Sequence, residues 1–520
     1  MVTSNECKFN RESIFVPTQL LNTVQEQSVE LDYVLPDYYP DFFRLLHCTA
    51  EPTVLQWECK EGMLHYVCAV CIRIWYCAEH TETVQTVTQR LEYTKQIPLP
   101  PDQDPAALRI RLQPEPSYLN CRAISSRRID VRGAVRIHAQ ISGELKQQVL
   151  CDVSGLHTQC RKEPVTYLSK IVRAAKRFSL AEEISIAETQ PPVLSVLRDT
   201  AQLSIHETRC VAGKLVIKGE AAVSLLYAAQ GGMETLHFTI PFSQIAEPEG
   251  LEEGMTCIAE AELIDHTITA ESDSNGDIRL LRCELQIRLL CEAMRASLTE
   301  LVTDLYSTVH PCHVETDEIA LLSLPVPVQE TLSCKAQLRR PDSVIAKVYA
   351  AWAEPGCLSF IADDEHQQML LCGDLRYYVM ASDAEGKPML LTETESVHQP
   401  LSMAYQCGQT AMGTPEIRVR HCNYTLPSSD TVSLQTELCL SGQCMRRTLY
   451  AFVTDAQVHG EERLPQNDRY ALRLYFGQEQ ESLWEIAKRF HTAVSAIMEE
   501  NDCEGSELTQ PQMLLIPIVL

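Results

Sequence analysis

Residues 215–227 read Leu215-Val-Ile-Lys-Gly219-Glu-Ala-Ala-Val-Ser-Leu-Leu226-Tyr227, and two other segments of the chain share this pattern. These are Leu64–Tyr76 and Met369–Ala381, which lie about 150 residues before and after this stretch. We interpret all three as long β-strands. A repeat of about 150 residues is the size of a domain, because solenoid units are only about 20–45 residues long. The chain is therefore predicted to contain three copies of one β domain.

Later strands support the same repeat. They contain Ile129, Ile278 and Val432, which follow the end of the long strand by 53, 51 and 51 residues. Polar and apolar residues partly alternate along residues 129–137, which predicts a strand with one packed face and one solvated face. The third copy is longer before its long strand, and we expect residues 344–360 to form an extra hairpin.

The C-terminal segment has a different pattern. Residues 470–476 alternate as a short strand, and Ser482 followed by Glu485 is a capping box that predicts the start of a helix. Residues 493–500 are predicted to form a second helix, and residues 513–518 a closing strand. The expected order of this segment is βααβ.

Together these patterns predict a mainly β fold. We expect three tandem antiparallel domains, each sandwich-like or barrel-like, followed by a small α+β domain. The predicted domains span residues 1–151, 152–300, 301–460 and 466–520.

Composition restricts the partners of the protein. The 520 residues carry 70 acidic and 44 basic side chains, a net charge of −26. This balance argues against a generally cationic surface for nucleic acid or for anionic membranes. The N-terminal residues lack the features of a signal peptide, and no run of 18 apolar residues occurs, so we expect no membrane span and a cytoplasmic location.

The chain contains 22 cysteines, which allows two interpretations. They are either reduced thiols that act as small buried hydrophobic residues, or thiols that cross-link once the protein reaches an oxidising assembly.

Metal sites are not predicted. Cys68 and Cys71 have CxxC spacing, but in a regular strand they point to opposite faces. For the cluster of His310, Cys312 and His313 no fourth ligand can be named.

The chain carries no established catalytic signature. It contains no GxSxG elbow, Walker loop, HExxH or GxGxxG motif. The acidic residues Asp363 and Asp364 beside His366 are interpreted as a solvated turn. We therefore predict that the protein is not an enzyme and needs no cofactor.

The C-terminal segment resembles a LysM domain, in the helix around Trp484, in Asn501 and in the closing Leu514–Pro517. LysM modules usually bind N-acetylglucosamine polymers between two loops. Two glycines of the family pattern are replaced here, by Gln480 and Pro511, and bulkier residues keep a ligand away from the backbone. The resemblance, together with these two replacements, implies that the domain binds a protein rather than a sugar.

We expect the partner to contact the following residues: Leu472, Gln480, Glu481, Ser482, Trp484, Asn501 and Pro511. Trp484 is either an aromatic anchor or a half-buried core residue.

The three upstream copies resemble the SPOCS repeat of spore-coat proteins. The resemblance rests on Val34–Asp41 with Leu45-Leu46, and on Gly219 with Leu225–Tyr227. SPOCS-like repeats followed by one LysM-like domain are similar to clostridial coat morphogenetic proteins. This implies a non-enzymatic adaptor that joins a SpoIVA-like coat ATPase to the forespore surface, made in the mother cell and then part of the coat. The alternative is a protein that binds peptidoglycan or another N-acetylglucosamine polymer of the cell wall or spore cortex.

Overall fold

The structure is a computed structural model and describes most of the chain. It describes residues 7–78, 83–101, 105, 108–273, 276–341, 344–356, 358–402, 410–412, 416–465, 472–503 and 505–518. The described part is mainly β, and all of its strand pairs are antiparallel. A small α+β region forms the C-terminus. The predicted fold class is confirmed.

Six strands form the first repeat and six form the second. The first contains β1 (Lys8–Val34), β2 (Phe42–Lys60), β3 (Met63–Ala78), β4 (Val84–Pro98), β5 (Arg109–Ser125) and β6 (Arg128–Ser154). The second contains β7 (Thr158–Ser185), β8 (Ser195–Val211), β9 (Lys214–Ala229), β10 (Gly232–Ala246), β11 (Thr256–Ser272) and β12 (Ile278–Ser307).

The third repeat has the same plan with more breaks. It contains β13 (Cys312–Leu322), β14 (Val326–Arg339), β15 (Ile345–Pro355), β16 (Ser359–Asp363), β17 (Gln368–Asp383), β18 (Pro388–Leu401), β19 (Thr410–Met412), β20 (Glu416–Ser428) and β21 (Thr431–Val458). Its first strand is divided into β13 and β14 at Pro325, a residue that cannot donate to a strand ladder.

Each repeat is a sandwich of two sheets. In the first repeat one sheet has the order β1-β6-β5 and the other the order β2-β3-β4, and the second repeat has the matching pair of sheets. Alternate residues of β6, such as Ile129, Val131 and Val135, are fully buried between the two sheets. Along β6 the alternation therefore decides which face forms the core.

Gly219 shows why one position of the repeat has no side chain. A Cβ at this residue of β9 would lie 2.2 Å from the carbonyl oxygen of Ser204 and 2.6 Å from the ring of Phe242. The strand β8 and a core aromatic ring therefore approach this backbone too closely for any other residue.

The long strands extend beyond the sandwiches and meet. Their outer parts form three two-stranded ribbons, in which residues 8–19 pair with 142–154, 158–170 with 295–307, and 312–322 with 447–458. The ribbons share one core, which we call the central stem. Each ribbon contributes three buried residues to this core: Ile14, Val16 and Val149 from the first, Val165, Tyr167 and Leu301 from the second, and Ile319, Leu321 and Phe452 from the third.

A second shared core lies between the sandwiches. Trp75, Leu226 and Met380 occupy matching positions of β3, β9 and β17, and all three are buried in this apolar junction. Trp75 lies 5.8 Å from Trp352 of the third repeat, measured between ring centroids. The repeats thus contact one another in the stem and in this junction, and also outside them, for example through the ion pair of Arg109 with Glu260.

The prediction of an extra hairpin at residues 344–360 is wrong. Residues 344–360 form β15 and the start of β16, which pair with the same side of β17 one after the other. They take the place that β2 occupies beside β3 in the first repeat. The third repeat is not longer before its long strand: Lys8 to Met63, Thr158 to Lys214 and Cys312 to Gln368 span 55, 56 and 56 residues. The apparent surplus arose because Leu332 lies in β14, a part of the first strand, and does not match Leu46 of β2.

The C-terminal unit consists of β22 (Leu472–Gly477), α1 (Leu483–Phe490), α2 (Val494–Asn501) and β23 (Gln512–Pro517). The strands pair, and both helices pack on one side of the pair around Leu483, Ile486 and Ile497. Residues 466–471 of the predicted domain lie outside the described residues. The predicted domain limits stay a prediction.

Candidate functional site

The two loops beside the helices of the C-terminal unit are joined by backbone hydrogen bonds. The Gln480 N–H donates to the Leu508 carbonyl over 2.8 Å, and the Leu508 N–H donates to the Glu481 carbonyl over 3.0 Å. Gln480 itself adopts φ +67°, a left-handed conformation that favours glycine. The backbone therefore keeps a glycine-like turn, while the exposed Gln480 side chain projects from it.

Glu481 and Ser482 stabilise this turn. The carboxylate of Glu481 accepts a hydrogen bond from the Tyr475 hydroxyl over 2.6 Å, which raises the pKa of Tyr475. Ser482 is the N-cap of α1, and its hydroxyl accepts from the Trp484 N–H over 3.3 Å. The predicted cap is confirmed. Both side chains serve the fold of the unit.

Asn501 ties α2 to the closing strand. Its side-chain amide donates to the carbonyls of Ile497 and Leu515, both over 2.7 Å, and its oxygen accepts from the Leu515 N–H over 2.6 Å. Three hydrogen bonds thus hold one side chain. Pro511, by contrast, is exposed immediately before β23.

Trp484 is half-buried against the outer end of β12. Its indole N–H donates to the Asp304 carboxylate over 2.8 Å, and its ring lies 5.0 Å from Tyr306 between centroids. Lys488 forms an ion pair with the same carboxylate at 2.7 Å. The Tyr306 hydroxyl donates to the Thr492 carbonyl over 2.7 Å. These contacts form a clasp that fixes the C-terminal unit to the end of β12.

The outer face of the strand pair is apolar and accessible. Leu472, Leu474, Phe476 and Met513 are 43%, 68%, 56% and 62% exposed. They belong to three cross-strand pairs made only of apolar residues: Leu472 with Pro517, Leu474 with Leu515, and Phe476 with Met513. We call these six residues the outer sheet face. Clustered exposed apolar residues of this kind commonly mark interaction sites.

The structure separates the predicted site residues. Leu472 lies on the outer sheet face, whereas Trp484 lies on the other side of the sheet against β12, so the two are not brought together. Sequence reasoning missed Leu474, Phe476 and Met513. The alternation from Leu472 to Phe476 carried the signal, but which of the two faces is covered depends on the position of the helices.

The fold defines a tandem β-repeat protein that carries one small α+β unit at its end. Residues 192–271, from just before β8 to the end of β11, match the family model described as SipL, SPOCS domain. The match points to a sporulation protein associated with the spore coat and similar to SipL.

Two wider comparisons found no relative. No curated protein and no solved structure matches the chain. In the described part of the chain, no helix has both the length and the apolar character needed to cross a bilayer.

Proposed function

We propose that the protein is a non-enzymatic adaptor in spore-coat assembly, which binds a protein partner through the outer sheet face of its C-terminal unit. The SPOCS match supports the assignment to the spore coat, reached from the mother cell. The observation that carries the binding site is the set of exposed apolar residues around Leu474 and Phe476. By resemblance to coat adaptors, the proposed partner is a SpoIVA-like coat ATPase.

The site residues divide into two roles in this proposal. Leu472 contacts the partner directly, and the exposed Gln480 and Pro511 border the surface. The other residues of the predicted set keep the unit folded and oriented: Glu481, Ser482, Trp484 and Asn501. Each of them already forms a hydrogen bond within the chain.

A charged substitution on the outer sheet face tests the proposal. In the full-length chain, Phe476→Glu should weaken capture of a purified SpoIVA-like ATPase about thirtyfold, as expected when about 2 kcal/mol of interface contact is lost. The reason is that an apolar contact is replaced by a carboxylate that binding would have to desolvate. The affinities are measured by immobilising the ATPase on a surface and titrating it with each variant of the chain.

Val211→Glu is the matched control, because Val211 is 54% exposed at the end of β8, in another part of the molecule. It should leave the affinity unchanged, and circular dichroism should show both variants folded. Equal affinities of the Phe476→Glu variant and the unmodified chain would reject the binding face. Tight binding of chitin oligomers or peptidoglycan by the unmodified chain, without capture of the ATPase, would favour the alternative of a glycan-binding protein.

A further inference from the structure

Two pairs of free cysteines lie on corresponding pairs of strands in the first two repeats. Strands β2 and β5 are edge strands of opposite sheets in the first repeat, and they pack against each other. Cys48 on β2 and Cys121 on β5 both pack into the first sandwich core. In the second repeat the corresponding strands are β8 and β11, and Cys210 and Cys257 pack into that core.

The two thiols of each pair also interact directly. The side-chain interaction with Cys121, together with burial, raises the pKa of Cys48, whereas the same interaction lowers the pKa of Cys121. Burial, with the Cys210 thiol beside it, raises the pKa of Cys257 to about 11.

We propose that Cys48 with Cys121, and Cys210 with Cys257, are dithiol sites that a peroxide oxidises to disulfides within the chain. In each pair one thiolate attacks one oxygen of hydrogen peroxide, the O–O bond breaks, and water leaves once the released hydroxide is protonated. The sulfenic acid formed on that sulfur is then attacked by the other sulfur of the pair, the S–O bond breaks and a second water leaves. Two electrons pass from the two sulfurs to the peroxide.

Each bond would join the two sheets of one sandwich at their open edge. Such a cross-link restricts the unfolded chain and so stabilises the folded repeat. A reducing cytoplasm keeps thiols reduced, and an oxidising surrounding lets disulfides persist. The first two repeats would therefore become harder to unfold when the chain moves from a reducing cytoplasm to an oxidising surrounding.

Peptide mapping of the full chain tests this inference. Reduced protein is treated with a small excess of hydrogen peroxide, alkylated, and digested without reductant. Mass spectrometry should find the Cys48 peptide joined to the Cys121 peptide, and the Cys210 peptide joined to the Cys257 peptide. Cys59, a thiol of β2 whose pKa is raised by burial alone, should remain alkylated and serves as the internal control.

Two variants separate a dithiol from two unrelated thiols. Cys48→Ser should leave Cys121 as a sulfenic acid that dimedone traps, because its resolving thiol is missing, whereas Cys59→Ser should leave both cross-links intact. Recovery of all four paired cysteines as free thiols, while others in the chain become linked, would overturn the inference. So would linkage of these cysteines only between separate chains.

Discussion

Asp199 connects two repeats through a buried group of charges. It forms an ion pair with Arg73 of β3 at 2.5 Å and lies 3.3 Å from the imidazole of His266. The side chains of Arg73 and Asp199 are only 8% and 12% exposed. Burial alone would raise the pKa of Asp199, but its interactions with His266 and Arg73 outweigh burial and lower it. The carboxylate therefore stays charged at the interface.

Replacing this carboxylate should destabilise the molecule. Asp199→Asn removes the carboxylate that pairs with the buried Arg73 guanidinium, although Glu51 also lies near it. Breaking a buried ion pair typically costs about 3 kcal/mol or more. Urea denaturation followed by circular dichroism should show a lower midpoint. The control is Asp32→Asn, which removes an exposed ion pair with Arg128 and should hardly move the midpoint. Equal midpoints for the two variants would contradict a role of Asp199 at the interface.

The charge of His266 should make stability depend on pH. Burial lowers the pKa of His266, but its interaction with Asp199 outweighs burial and raises it. A raised pKa contributes stability that is fully present below about pH 6.5, the unfolded value, and is lost as pH rises through the folded pKa. The gap in melting temperature between the unmodified chain and His266→Gln should therefore be wide at about pH 5.5 and narrow at about pH 8.5. A gap that widens over this range would argue against the assignment.

Strand irregularities explain where the C-terminal unit attaches. β6, β12 and β21 each contain one extra residue at the same place in the ribbon, namely Cys151, Thr303 and Thr454. An aspartate follows each of them: Asp152, Asp304 and Asp455. The bulges therefore place three equivalent carboxylates around the central stem.

Two of these carboxylates pair with the neighbouring repeat. Asp152 forms an ion pair with Lys162 at 2.9 Å, and Asp455 with Arg11 at 2.5 Å. Lys162 and Arg11 occupy matching register positions, and the matching residue of the third repeat is Thr316. Since Thr316 carries no charge, Asp304 receives no such cation from it. The clasp supplies one instead, through Lys488.

Restoring the missing cation should loosen the C-terminal unit. In Thr316→Lys the new ammonium competes with Lys488 and Trp484 for the Asp304 carboxylate. We expect backbone amides of α1 to exchange with deuterium several times faster, as measured by mass spectrometry. Thr316→Ser, which changes the same position without adding charge, should exchange like the unmodified chain. Unchanged exchange in Thr316→Lys would mean that the clasp does not depend on this carboxylate.

At the scale of the whole molecule, the central stem makes the three repeats depend on one another. Phe452 is fully buried there beside residues of the first and second repeats. Within the sandwiches each repeat has its own core, such as the one around Leu371 in the third. The molecule therefore combines local cores with a shared one.

A cavity in the shared core should affect every repeat. Phe452→Ala removes a fully buried ring, which costs about 3–5 kcal/mol. Hydrogen exchange should rise in all three ribbons, because each loses contacts in the stem. Leu371→Ala is the matched control in a local core, and its effect should stay within the third repeat. An effect of Phe452→Ala that is likewise limited to the third repeat would contradict the shared stem.

Much of this architecture could be predicted from local patterns. The strand with Gly219 and Tyr227 marked the repeat, and Ser482 with Glu485 marked a helix start. The stem could not be predicted, since Ile14 and Phe452 meet only after the whole chain has folded. The clasp could not be predicted for the same reason, because Asp304 lies in the second repeat and Trp484 in the C-terminal unit, 180 residues further along the chain. Alternation shows that a strand has two faces, but only the packing of other elements shows which one stays open.

The single clasp sets the number of C-terminal binding faces that each molecule carries. Among the three equivalent carboxylates of the described residues, Asp304 alone holds a C-terminal unit, so each molecule presents one outer sheet face. In the proposed function, a partner that forms a lattice would thus be decorated by separate molecules, one for each occupied subunit, and the three sandwiches would be left to face another layer.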